Sequence, residues 1–172
     1  MERIKGRAYK FGDDINTDII YPGKYLLITT DREEMARHCF EAVYPEFLKS
    51  AKAGDVIVAG KNFGCGSSRE QAATCLKHFG VSAVVAESFA RIFYRNAINL
   101  GLPVVVAPGI TGLVNHGDSV EIDLEGGSVM NTTTGDSIRS VQLPPFIMQI
   151  ISDDGLIKHL QKRLESNKKQ GG

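Results

Sequence analysis

The chain has no net charge: 20 basic residues balance 20 acidic ones over a length of 172. That balance gives no electrostatic footprint for nucleic acid or for an anionic membrane surface, so neither is expected as a partner. No apolar run approaches the ~18–20 residues that a membrane-spanning helix needs. The opening stretch Met1-Glu2-Arg3-Ile4-Lys5-Gly6 is polar and lacks the apolar centre of a signal peptide. Together these absences point to a cytoplasmic protein. Cysteine is scarce as well. Cys39, Cys65 and Cys75 are an odd set of 3, widely spaced and without a Cys-x-x-Cys pair, which excludes a disulfide framework. His38 beside Cys39 forms no recognisable metal pattern, and no metal ligand is expected in this chain. Cys39 and Cys75 read as small buried apolar residues and Cys65 as a filler between two glycines. Internal repeats and low-complexity linkers are also missing. Apolar content of 42% and charged content of 23% are ordinary for a globular chain, and the length suits one domain over 1–172, with residues 167–172 as a frayed tail.

What is present alternates. Ile4–Phe11 reads as a strand, and 12–22 and 22–30 as loops rich in turn residues. Thr30-Asp31-Arg32-Glu33 is a capping-box-like start for a helix reaching Ala42. A short connection around Pro45 follows. Val56–Ala59, Ala83–Ala86 and Pro103–Ala107 are continuous apolar runs of the kind found in buried parallel sheets. Between them lie helices at Glu70–His78, stopped by Gly80, and Phe89–Asn99, stopped by Gly101. Beyond Pro108 the texture changes to alternating strands at Ser119–Leu124 and Ser128–Asn131, joined by Glu125-Gly126-Gly127, with a further strand at Ile138–Leu143. Helices at Pro144–Ser152 and Gly155–Ser166 close the chain. The fold class is α/β with parallel βαβ units.

The richest stretch runs Gly60-Lys61-Asn62-Phe63-Gly64-Cys65-Gly66-Ser67-Ser68-Arg69-Glu70-Gln71. A strand leads into it and a helix leaves it. Glycines allow positive φ and close approach of backbone to a ligand. Unpaired helix N–H groups and the helix dipole favour negative charge at such a turn, and Arg69 adds a planar donor fork suited to carboxylate or phosphate. An anion site with a hydroxyl beside it is one reading. A plain turn in which Ser67 or Ser68 caps the helix is the other. The Gly-Lys-Ser/Thr ending of a Walker loop is absent, and Arg69 stands where the dinucleotide fingerprint needs its third glycine.

Two further segments join this one in order: Asn16-Thr17-Asp18-Ile19-Ile20-Tyr21-Pro22 and Glu87-Ser88-Phe89-Ala90-Arg91-Ile92-Phe93-Tyr94-Arg95-Asn96-Ala97. With Gly-Ser-Ser-Arg-Glu they resemble the swivel domain of the aconitase superfamily, from about Lys5 to about Leu160. A chain of this length resembles the separate small subunits of isopropylmalate isomerase and archaeal-type homoaconitase. The resemblance implies a swivelling βαβ domain with a small mixed, barrel-like sheet flanked by helices. It implies a hydro-lyase that isomerises a small hydroxy-dicarboxylate by removing and returning water, as in leucine biosynthesis. It carries the proton-abstracting serine onto Ser67, carboxylate binding onto Arg69, a hydrogen bond onto Ser68, and further site positions onto Thr17 and Asp18. Asp18 taken alone reads first as an ordinary Asx turn. Arg91 and Arg95 share a helix face and read as structural or interfacial. The cysteine ligands of an iron–sulfur cluster are missing here, so a 4Fe-4S cluster is expected on a large partner subunit, in a heterodimer or heterotetramer, with no cofactor on this chain.

The loop after the Thr-Asp segment bears on substrate choice. The resembling homoaconitase subunits carry an arginine after Tyr-Leu, where this chain has Leu27, followed by Ile28. Burying one methylene is worth ~0.8 kcal/mol, whereas burying an unpaired carboxylate costs several kcal/mol. The sign favours an isopropyl group over a third carboxylate. A homoaconitase-type or dimethylmalate dehydratase-type small subunit and a non-catalytic anion-binding or phosphate-binding α/β module are the alternatives.

Overall fold

The computed structural model describes residues 3–170. A seven-stranded sheet runs in the order β4-β3-β2-β1-β5-β6-β7. Strands β1 (Ile4–Lys10), β2 (Val56–Ala59), β3 (Ala83–Ala86) and β4 (Val104–Val106) are mutually parallel. Strands β5 (Ser119–Asp123), β6 (Ser128–Asn131) and β7 (Ser137–Arg139) continue antiparallel from β1. Strand β1 serves both halves. Its Ile4–Arg7 portion pairs with β5, and Ala8–Lys10 pairs with β2. A backbone bond from Val141 N–H to the Val106 carbonyl (2.8 Å) brings the segment after β7 back to β4. The mixed sheet thus curls into a half-barrel, as the family resemblance implies.

The continuous apolar runs are explained by two cores. Side chains alternate across a strand, so Ile57, Ala59, Val84, Ala86 and Val104 enter one cluster and Val56, Val58, Ala83, Val85 and Val105 the other. The first cluster lies beneath helices α1 (Thr17–Ile20), α2 (Arg32–Ala36), α3 (Glu46–Ser50), α4 (Glu70–Phe79) and α5 (Arg91–Asn99). The second is closed by α6 (Ile110–Leu113), the antiparallel strands and α7 (Pro145–Ser152). The last helix, α8 (Leu156–Gln170), extends past the Ser166 expected from sequence. Of the tail expected at 167–172, positions 171–172 lie outside the described residues.

Several elements depart from the sequence reading for identifiable reasons. The helix expected to reach Ala42 ends at Ala36. Phe40 takes a positive φ of 58°, donates its N–H to the Ile20 carbonyl (2.8 Å) and stacks on Phe11 with centroids 4.4 Å apart. Burial of this ring outweighs helix continuation. Asp31, not Thr30, caps α2 by accepting from Glu34 N–H at 2.8 Å. Helix α5 starts at Arg91, not Phe89, because Phe89 is held in a bridge to Phe63. The helical turn α1 lies where only a loop was expected, and α6 lies in a stretch for which no element was expected. Helix α4 stops as expected at Gly80, whose φ is 95°.

Candidate active site

The glycine loop leaves the carboxyl end of β2 between two neighbours. On one side Gly64 N–H bonds the Ile15 carbonyl (2.7 Å) and Thr17 N–H bonds the Cys65 carbonyl (2.8 Å). On the other, Phe63 N–H bonds the Ser88 carbonyl (3.0 Å) and Ala90 N–H bonds the Phe63 carbonyl (2.9 Å). The order β1-β2-β3 is therefore continued by loops above the strand ends, where open α/β sheets place their ligands. Asp14 and Asn62 both adopt positive φ (54° and 60°), and the Asn62 amide donates to the Asp14 carboxylate at 2.9 Å. Two strained turns thus brace each other. Gly64 has a φ of 79°, and a Cβ there would lie 2.2 Å from Phe93 Cγ, so the loop sits directly on α5.

This framework brings the four motif residues together. Thr17 is buried and donates its hydroxyl to the Ser67 carbonyl at 2.8 Å. Asp18 Oδ1 accepts from Arg69 Nη1 at 2.5 Å and from Gly23 N–H at 2.8 Å. Arg69 Nη1 also reaches the Tyr21 carbonyl at 3.4 Å. The Arg69 side chain is 19% exposed and that of Asp18 64%. The Arg69 hydrogen bond, with help from Gly23 N–H, holds the Asp18 carboxyl below the ordinary carboxylate range. Asp18 is thus more than a turn residue: it fastens Arg69 to the loop at Gly23. Ser67 and Ser68 are both exposed, and neither caps α4; the N-cap is Arg69, without a side-chain cap bond. The capping alternative is excluded. Helical geometry begins at Glu70, as expected from sequence.

Ser67 opens into a cleft of about 420 Å³ shared with Gly64, Gly66, Ala90, Arg91, Ile92 and Arg95. Arg91 and Arg95, read from sequence as structural or interfacial, border this cleft on its α5 side. Helix α5 contains no acidic residue. That composition was the available signal that its arginines lack intrahelical partners.

The segment 23–28 divides in two. Tyr25 stacks on His38 (3.7 Å, 17°), Lys24 Nζ lies 4.8 Å from the Tyr25 ring centroid, and Leu26 packs on the core. Leu27 and Ile28 instead project outward, 99% and 67% exposed. They are not core residues of this chain.

Among the described residues no group of three or more His, Cys, Asp or Glu is placed to hold a metal ion. Cys39 and Cys75 are buried, and Cys65 stands apart in the glycine loop. These side chains do not fit an iron–sulfur cluster, which needs several convergent thiolates.

An α/β half-barrel that displays a serine, an arginine and their supporting Thr-Asp pair at an open strand end defines the class: an aconitase-type swivel domain. The chain belongs to the aconitase C-terminal domain family, whose profile matches residues 14–108. It is 51% identical over 161 residues to the isopropylmalate/citramalate isomerase small subunit of Methanocaldococcus jannaschii, covering 94% of this chain and 95% of that one. The 3-isopropylmalate dehydratase small subunit 1 of Methanopyrus kandleri is 53% identical over 159 residues, covering 92% and 93%. A methanogen homoaconitase small subunit from Methanothermobacter thermautotrophicus is 49% identical over 163 residues, covering 95% and 94%. The crystal structure of a 3-isopropylmalate dehydratase from Methanocaldococcus jannaschii superposes with a TM-score of 0.92 at 48% identity, covering 98% of this chain and 99% of that one.

Proposed function

We propose that this chain is the small subunit of an isopropylmalate isomerase, a hydro-lyase of leucine biosynthesis that interconverts 2-isopropylmalate and 3-isopropylmalate by dehydration and rehydration. The observation that carries the reading is the Thr17–Ser67 and Asp18–Arg69 cluster, which presents Ser67 at the surface rather than in the core, in a chain about half identical to named small subunits of this enzyme. Ser67 removes the proton from the carbon next to the one bearing the hydroxyl. Arg69, oriented by Asp18, binds a substrate carboxylate with a charge-assisted fork. Thr17 fixes the Ser67 carbonyl, so the serine is positioned by backbone before substrate arrives. Ser68 adds a hydrogen bond. Leu27 and Ile28 supply an apolar wall for the isopropyl group once the loop is covered.

The reaction also needs a Lewis acid to take the hydroxyl. Among the described residues no side-chain cluster can hold one, and we infer that a large subunit carrying a 4Fe-4S cluster supplies it in a heterodimer or heterotetramer, in the cytoplasm. Reconstitution with that subunit, assayed on 2-isopropylmalate, homocitrate and dimethylmalate side by side, tests the reading. Preference for 2-isopropylmalate is expected. Preference for homocitrate would move the chain to the homoaconitase branch, and no turnover with any of them would leave only an anion-binding module.

A further inference from the structure

Helix α5 presents Arg91 and Arg95 one turn apart, both exposed, with Ile92 between them 49% exposed. Neither guanidinium has a hydrogen bond or ion pair among the described residues. Like charges at this spacing repel, and nothing within the helix relieves them. Glu87, four residues before Arg91 and the natural candidate, bonds the Thr111 hydroxyl instead. The two arginines form a ridge between two clefts. On one side is the Ser67 cleft; on the other is a cleft of about 340 Å³ lined by Ser88, Phe89, Tyr94 and Val106. A charged ridge flanked by aromatic and aliphatic surface has the composition of a protein-binding hot spot, in which Arg and Tyr are over-represented. A dicarboxylate inside the Ser67 cleft would touch one flank only and leave the other open.

We infer that the Arg91–Arg95 ridge, with Ile92, is a docking surface for acidic side chains on the large subunit, seating that subunit over the Ser67 cleft. This rests on the reading of the chain as half of a two-subunit enzyme. Two exposed cations with no carboxylate partner among the described residues call for carboxylates from outside the chain, and the ridge borders the cleft that the partner must cover.

The test is titration of the chain against the cluster-loaded large subunit at low and high salt, with substrate kinetics at saturating chain. Wild type, the double variant Arg91→Glu/Arg95→Glu, the neutral Arg91→Gln/Arg95→Gln pair and the conservative Arg91→Lys/Arg95→Lys pair are compared after thermal melts establish folding. Charge reversal is expected to raise the dissociation constant by roughly 30-fold or more and to flatten its salt dependence. The neutral pair should lose about 10-fold, and the lysine pair should recover most of the affinity. The affinity loss should appear with the large subunit alone, before any substrate is added; because both arginines also border the Ser67 cleft, a change in KM beside that loss leaves the inference standing. An unchanged dissociation constant with a raised KM would make the ridge a substrate subsite, and no change in either would make it a solvated face; both overturn the inference alone. A wild-type chain that neither binds nor activates the large subunit would overturn the two-subunit reading with it.

Discussion

At the scale of single residues, the serine and the loop tip make opposite demands. In the proposed reaction the Ser67 hydroxyl contributes chemistry while its carbonyl contributes position, so deleting the hydroxyl should leave the Thr17 bond intact. Ser67→Ala is expected to lower kcat by about 10²–10⁴, the usual worth of a positioned proton acceptor, while binding to the large subunit is unchanged in sedimentation. Normal turnover would remove the base assignment. Leu27 has no role inside this chain, since its side chain is 99% exposed, so a change there tests recognition without a folding cost. Leu27→Arg should shift the kcat/KM ratio toward homocitrate by roughly 10-fold or more, because it offers a cation where a third carboxylate would otherwise be buried unpaired. Unchanged selectivity would sink the substrate argument. Thr17, Asp18, Ser67 and Arg69 were legible as neighbours because their segments form an ordered motif set. Arg91 and Arg95 were not, because their approach to Ser67 depends on how α5 leans against Gly64, and no local pattern encodes that.

At the scale of elements, the site is only as rigid as the packing of its loop on α5. Gly64 combines a positive φ with a Cβ position 2.2 Å from Phe93 Cγ. Gly64→Ala should therefore cost roughly 2–5 kcal/mol from backbone strain and overpacking together, read by urea denaturation. Combining it with Phe93→Ala relieves the clash, so the double variant should be more stable than the sum of the single losses by roughly 0.5–3 kcal/mol. Strict additivity would show that loop and helix are not in contact. Asp154 joins two other elements by pairing with Lys77 of α4 at 2.7 Å and Lys158 of α8 at 2.5 Å. Those two ammonium groups lower its pKa to about 2. A carboxylate depressed on folding stabilises above its unfolded pKa and loses that contribution as pH falls through the folded value. The Tm gap between wild type and Asp154→Asn should thus be flat above the ordinary value of 3.8 and close toward pH 2; a gap that widens on acidification would contradict the pairing. The parallel strands and α4 were readable from apolar runs and a glycine stop. The end of α2 was not, because Phe40 leaves the helix to join a ring cluster assembled from distant segments, and α6 was hidden by its four-residue length and its glycine.

At the scale of the whole molecule, the chain exposes what an enzyme usually encloses. Ser67 and Ser68 face solvent, Leu27 and Ile28 project from the surface, and the arginines of α5 have no ion pair among the described residues. Fixed donors and cations are worth far more in a dry site than in water, so this surface is weak catalytic machinery until something covers it. The isolated chain should therefore show no isomerase activity and no visible absorbance, although it is already folded around two complete cores. Adding the large subunit should restore activity by mass action: specific activity rises with chain concentration, saturates, and falls again on dilution below the dissociation constant. Melting temperature should follow the same curve, since a partner that binds only the folded chain stabilises it. Activity in the isolated chain, or activity independent of dilution, would mean that the exposed cluster already forms a finished site.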